Sequence, residues 1–202
     1  MRGWVTWVAI LAGIVLLVLV TAAIGNRDES GETVSAGKWA QNVCGAVGVW
    51  RGELEATVED VRTPSSAAPG VEEPQSETPQ GRTGLVRNGL ERAIQATETM
   101  VEGVDNAGVP DTAEGAEAAE QISSWANGSL NDLEQAEDSL DEEADTLEEA
   151  VEQVTGALGA IGSVMANGVQ AIADVAITDP ELADALRDSS TCAQLREEAG
   201  EQ

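Results

Sequence analysis

Between Ala113 and Ile177 the chain carries no proline, Lys or Arg, and its apolar residues recur alternately at intervals of four and three. Ala126, Leu130, Leu133, Leu140, Ala144, Leu147, Val151, Val154, Leu158, Ile161, Met165 and Ile172 make a ladder interrupted at Glu137 and Gly168. This is the spacing of a helix face written in heptads. One straight helix over the stretch would run roughly 95 Å at 1.5 Å per residue, longer than any other segment here can cover. The stretch either projects alone or folds back on itself.

The other segments point to folding back. With 202 residues there is room for one domain of ordinary size plus an anchor or tail. The aromatic residues are five Trp, with no Phe or Tyr, so the core is built from Ala, Val, Leu and Ile, which suit closely packed helices. The net charge is −27, Lys38 is the only lysine, and no basic residue falls between Arg92 and Arg187. Such a surface repels nucleic acid and anionic lipid headgroups, which are bound through Lys and Arg. Nucleic acid is therefore not an expected partner.

Trp4 to Ile24 is uncharged and apolar, with AILAGIVLLVLV at its centre, and is long enough for the roughly 20 residues that cross a bilayer. Trp4 and Trp7 mark its membrane interface. Residues 1–26 are read as a transmembrane anchor; the alternative is a signal peptide cut after Ala22 or Gly25, giving a secreted product. Arg2 favours the cytoplasmic side, while Asp28, Glu29 and Glu32 crowd the other end, which makes the C-terminal domain extracytoplasmic.

After a linker at 27–35, a first helix is expected over 36–62, where Trp39, Val43, Val47, Trp50, Leu54, Val58 and Val61 share one face. Trp50-Arg51-Gly52 is a W-x-G tripeptide, but it falls inside this helical pattern and reads as a core Trp. Prolines at 64, 69, 74 and 79 punctuate a polar, disordered loop at 63–84. A second helix is expected over 85–107, stopped by Asn106-Ala-Gly108 and Pro110, with Asp111 or Thr112 available to cap the next.

Cys44 and Cys192 stand at opposite ends of this domain. In an oxidising compartment they allow one intramolecular disulfide; the alternative is two buried free thiols. If they pair, the long stretch must turn, and unrelieved carboxylates at Asp138 to Glu143 mark the place. There Glu134, Asp138 and Glu142 are like-charge neighbours at i,i+4, each pair costing about 0.2–0.5 kcal/mol. The expected helices are then 113–138 and 141–177, with Ser139 or Asp141 capping the restart. Gly156, Gly159, Gly162 and Gly168 suggest close backbone packing, with Gly45, Gly48 and Gly52 as counterparts. Thr178-Asp-Pro-Glu181 begins a short helix at 180–188, and 196–202 is a polar tail.

The expected fold is all-α: an N-terminal transmembrane helix followed by an antiparallel four-helix bundle with a short C-terminal helix, the bundle spanning 36–195. Its core is expected to contain Trp39, Val43, Val47, Trp50, Leu54, Leu90, Ile94, Ile122, Leu133, Leu147, Val154 and Ile161.

Trp39 through Cys44 with Trp50, the Gly108-Val-Pro-Asp-Thr112 turn with Gly115, and Asp179-Pro-Glu-Leu182 leading to Cys192-Ala-Gln-Leu195 resemble a group of uncharacterised exported or membrane-anchored proteins of actinobacteria. The likeness covers roughly Trp39 to Leu195. It implies a helical domain closed by its terminal cysteines outside the cytoplasmic membrane, and no known activity.

Without histidine the commonest general acid or base is missing, and no local spacing assembles a nucleophile with its base. The acidic run Asp138, Asp141, Glu142, Glu143, Asp145, Glu148 and Glu149 lacks the spacing of a calcium loop and reads as solvated charge. Neither an enzyme nor a cofactor is expected. The expected function is a non-enzymatic, membrane-anchored bundle that binds a protein or cell-envelope component. The alternatives are a carrier of a small apolar ligand and the ectodomain subunit of a membrane sensor.

Overall fold

Ser35 sets the first helix in place: its side chain accepts from Lys38 N–H, and its carbonyl accepts from Trp39 N–H at 3.0 Å. From there α1 runs over Ala36–Arg62. The computed structural model describes residues 32–62, 79–140 and 146–200. The expected membrane segment with Trp4 and Trp7 therefore lies outside the described residues, as does most of the proline-rich loop. Within the described residues the fold is a bundle of helices: α1, α2 (Pro79–Asp105), α3 (Gly115–Asp138), α4 (Leu147–Thr178), α5 (Pro180–Asp188) and α6 (Ser190–Gly200).

Named contacts give the directions of the long helices. Gly103 lies against Ala46 and Gly89 against Val61, so α1 and α2 run in opposite senses. Ser123 bonds Asp105 near one end of the α2/α3 pair, and Arg87 bonds the Leu140 carbonyl near the other. Trp125 on α3 fills the space beside Gly168 on α4, while Glu114 N–H reaches Asp179 beyond it. Among the remaining pairs, α2 packs on α4 more fully than α1 does, and α5 and α6 both lie against α1.

The apolar ladders face mostly inward, but Val151, a rung of the expected α4 ladder, is exposed. Trp39, Val43, Val47, Trp50, Leu54, Leu90, Ile122, Leu133 and Ile161 are buried; Ile94 and Val154 are half-buried and pack on that core. The side chain of Leu147 lies outside the described residues. At the centre, Trp50 and Trp125 meet edge to face, ring centroids 5.6 Å apart. The Trp50 indole N–H donates to Thr97 Oγ1 at 2.9 Å, and that hydroxyl donates to the Ala93 carbonyl at 2.7 Å. A buried Trp–Thr pair of this kind satisfies both polar groups without water.

Two short strands tie the start of the domain to the turn after α2. β1 (Thr33–Val34) pairs in parallel with β2 (Val109–Pro110), with Thr33 opposite Val109 and Val34 opposite Pro110. The bonds come from Val109 N–H to the Glu32 carbonyl and from Asp111 N–H to the Val34 carbonyl, so Pro110 falls where no donor is needed. Gly108, with φ +80°, makes the approach: a Cβ there would sit 2.4 Å from the Glu32 carbonyl oxygen. Gly115 is equally constrained, since a Cβ would lie 1.9 Å from the Pro110 carbonyl oxygen.

Several sequence expectations change. β1 falls in the expected linker, and two residues are too short to show a periodicity. α2 begins at Pro79 rather than 85, since proline is tolerated in a first helical turn. Neither Ser139 nor Asp141 caps α4. Thr146 does, exchanging bonds with Glu149 in a capping box, and 141–145 lie outside the described residues. The polar tail continues as helix α6 to Gly200, because Ser189 caps it and Cys192 and Leu195 give it an apolar face.

The expected glycine-to-glycine packing is absent as well. A Cβ at Gly45, Gly52, Gly156, Gly159 or Gly162 would meet nothing within 4 Å, and Gly48 faces the Leu195 side chain. The reason lies in the C-terminal helices, which occupy α1 where the fourth helix was expected to pack. Gly156, Gly159 and Gly162 are left exposed, whereas Gly168 is buried against Trp125.

Candidate functional site

Where α5 and α6 sit on α1 beside α4, the four helices leave a cleft of about 610 Å³. One face of α4 supplies Met165, Val169, Ile172 and Ala176 to it, recurring at four, three and four residues. From α1 come Cys44, Val47, Trp50 and Arg51; Leu186 and Arg187 come from α5, and Cys192, Leu195 and Arg196 from α6. The volume is within the about 300–1,000 Å³ usual for sites that enclose one small molecule.

A covalent bond holds this wall together. Cys44 and Cys192 are joined, with Cα atoms 5.1 Å apart, and both sulfurs are buried. The bond fixes α6 to α1 and so places Leu195 and Arg196 at the cleft. Closing a loop of 148 residues restricts the unfolded chain by about 5 kcal/mol in the entropic picture.

The junction of α4 and α5 is equally well defined. Asp179 ends one helix and begins the next, accepting from Glu181 N–H at 2.9 Å and Leu182 N–H at 3.2 Å. Thr112 Oγ1 is buried with no partner of strict hydrogen-bond geometry. As a rotatable hydroxyl beside the Asp179 carboxylate, it is still the largest influence holding that carboxyl below its ordinary value. Burial opposes it, and the N–H groups of Leu182, Glu181 and Glu114 add to the lowering.

The charged residues in the cleft wall are Arg51, Arg187 and Arg196, with no Asp or Glu among the described lining residues. They are three of only ten basic residues in the chain, against 37 acidic ones. Arg51 is buried, its Nε 2.7 Å from Glu55 and its Nη1 3.2 Å from the Leu195 carbonyl. Arg187 pairs with Asp184 on the surface. Arg196 donates instead to the carbonyls of Leu186 and Arg187, both at 3.2 Å, at the C-terminal end of α5 where a cation is favoured.

A second groove, of about 860 Å³, runs between α1 and α2 past Asn42, Glu53, Arg92, Gln95, Thr99 and Asn106. Ala46, Val49, Trp50, Ala96 and Met100 share its wall with those polar side chains, Glu53 among them, so it does not have the carboxylate-free lining that the described residues give the first cleft.

The sequence singles out Met165 and Ile172 as ladder residues and Trp50 as core, and the structure places all three in the cleft wall. It gives no sign of the arginines. Arg51 is separated from the other two by more than 130 positions, and only the C-terminal helices bring them together. No group of three His, Cys, Asp or Glu among the described residues is placed to hold a metal ion. Of the acidic run, 141–145 lie outside the described residues and Glu149 serves as a cap.

Part of the apolar surface of α4 is open to solvent, Val169 and Ile177 in the cleft wall and Val151 outside it. Within Glu148–Thr178 an 18-residue window reaches a mean hydropathy of 1.4, so the helix is long and apolar enough by composition to cross a membrane, and 28% of that window is buried. Comparison of the chain with family models, curated proteins and solved structures finds no match.

Proposed function

We propose that the protein is a non-enzymatic ligand-binding bundle that encloses a small apolar molecule between α1, α4, α5 and α6. The observation that carries this reading is the cleft of about 610 Å³, apolar along α4 and tethered on its far side by the Cys44–Cys192 bond. Small ligands bind in concave, largely apolar sites with a few polar groups at the edge, and this wall has that character.

In this reading the four long helices form an antiparallel bundle on the extracytoplasmic side of a membrane, anchored through residues 4–24, in the manner of the actinobacterial exported proteins that the sequence resembles. Native mass spectrometry of gently purified full-length protein tests it. Bound mass is expected on the wild type and absent from Ala176→Trp, in which an indole fills the cleft. A wild type that is consistently ligand-free, together with no difference between the two proteins in uptake of added alkyl compounds, sinks the proposal.

A second reading is docking of a protein or envelope component. Val169 and Ile177, exposed at the cleft, and Val151, exposed farther along α4, favour it, because exposed apolar surface on a highly charged protein marks interaction sites. Charged substitutions at Val151 and Val169 would then abolish crosslinking to the partner in intact cells. Crosslinks unchanged by those substitutions rule out α4 as the docking face.

A further inference from the structure

The chemistry of the cleft's edge narrows the class of ligand. Arg51 reaches the Leu195 carbonyl, and Arg196, the next residue, reaches the carbonyls of Leu186 and Arg187. These bonds gather three guanidinium-bearing residues around the junction of α1, α5 and α6, beside a wall made otherwise of Val, Ile, Leu, Met, Ala, Trp and the disulfide. Glu55 offsets the charge of Arg51 and Asp184 that of Arg187. Arg196 is held by backbone carbonyls and has no carboxylate partner among the described residues.

We propose that the cleft takes a single-chain amphiphile with one negative charge, of the class of a fatty carboxylate: the alkyl chain lies along Met165, Val169 and Ile172, and the headgroup meets Arg196 and Arg187. This assignment rests on the apolar-ligand reading above and goes beyond it by naming the headgroup. One cation without a carboxylate partner among the described residues suits a monoanion. The cleft is of a size for one small molecule rather than a lipid with two chains.

The chain's net charge of −27 works against any anion. Screening limits that opposition, since exposed charges beyond about 8 Å are largely screened at physiological ionic strength. What decides binding is the set of groups in contact, and in the described wall those are cationic. Arginine also matches a carboxylate geometrically, because its planar fork can donate two parallel hydrogen bonds.

The test is calorimetric titration of the full-length protein held in an amphipathic polymer, with empty polymer as the blank, using decanoate, 1-decanol and decyltrimethylammonium. Decanoate is expected to bind at least ten-fold more tightly than the other two, with the advantage shrinking as salt is raised. Arg196→Gln and Arg187→Gln, both at exposed positions, are each expected to bring decanoate toward the affinity of decanol while leaving decanol unchanged. Equal binding of decanoate and decanol by the wild type overturns the headgroup assignment and leaves the apolar cleft standing. Strongest binding of the cationic probe overturns it too, in favour of the acidic surface. If no probe binds the wild type, the apolar-ligand reading falls with it.

Discussion

The carboxylate of Asp179 accepts the backbone N–H of Glu114 at 3.4 Å while it caps its own helix through Glu181 and Leu182. One side chain thus serves the start of α5 and the start of α3, 65 residues earlier. Glu114, the residue at the N-terminus of α3, has no side-chain cap of its own. Replacing Asp179 with Ala leaves these donors without a partner, and is expected to cost about 1–3 kcal/mol in urea unfolding. A change below about 0.5 kcal/mol would show that water serves the site as well.

The same carboxyl has its folded-state pKa lowered, so it takes up a proton in the unfolded chain before it does in the native one. Its stabilisation is fully present above the unfolded value, near pH 4, and is lost as pH falls through the lower folded value. The difference in unfolding free energy between wild type and Asp179→Asn should therefore be constant from pH 7 to about 5 and shrink below about pH 4. A difference that grows on acidification contradicts the assignment.

Removing the Cys44–Cys192 bond should loosen one part of the fold more than the rest. The double Ser variant is expected to lose about 2–5 kcal/mol. Amide exchange should quicken most in α6, which the bond ties to α1, and least in α2 and α3. Uniform acceleration across all helices would mean that α6 is integral to the cooperative core.

The two central tryptophans should respond differently to Phe. Trp50 donates to Thr97, whereas the buried indole N–H of Trp125 has no hydrogen-bond partner among the described residues. Both variants lose ring area, but only Trp50→Phe breaks a buried bond, so its cost should be the larger by about 1 kcal/mol. Chemical denaturation followed by circular dichroism measures both. The reverse order would place an unrecognised acceptor beside Trp125.

Two glycines give a contrast of sign. Gly115→Ala forces a methyl into the Pro110 carbonyl and should cost at least about 2 kcal/mol. Gly159 is helical and exposed, with open space around it, so Gly159→Ala should stabilise by about 0.5–1 kcal/mol. Thermal melts of the two variants should move in opposite directions. Destabilisation by Gly159→Ala would reveal a neighbour packed on that face of α4.

The helical class was legible because periodicity is a local signal. Trp39, Val43, Val47, Trp50 and Leu54 repeat at three and four, and that face is the buried one. The capping triplet Asp179-Pro-Glu is equally local, and so was readable. Features that depend on a distant partner were not. β1 exists because Gly108 lets Glu32 approach. Gly156, Gly159 and Gly162 of α4 lie open because α5 and α6 cover α1 instead, while Gly168 packs under Trp125. The cleft joins Arg51 to Arg187 and Arg196, residues whose sequence neighbours carry no trace of one another. Even the turn between α3 and α4 follows this division: its carboxylates weaken the helix locally, but the restart is set by Thr146 and Glu149, whose pairing outweighs the nearer Ser139.

The cross-link between Cys44 and Cys192 also makes the polypeptide between them a closed ring. A protease that severs one peptide bond inside the ring leaves both pieces attached, and the cut is invisible on a gel until a reductant is added. Two cuts are needed before any fragment is released. For a domain exposed to hydrolytic enzymes, a single nick is thus damage that the molecule can retain without coming apart.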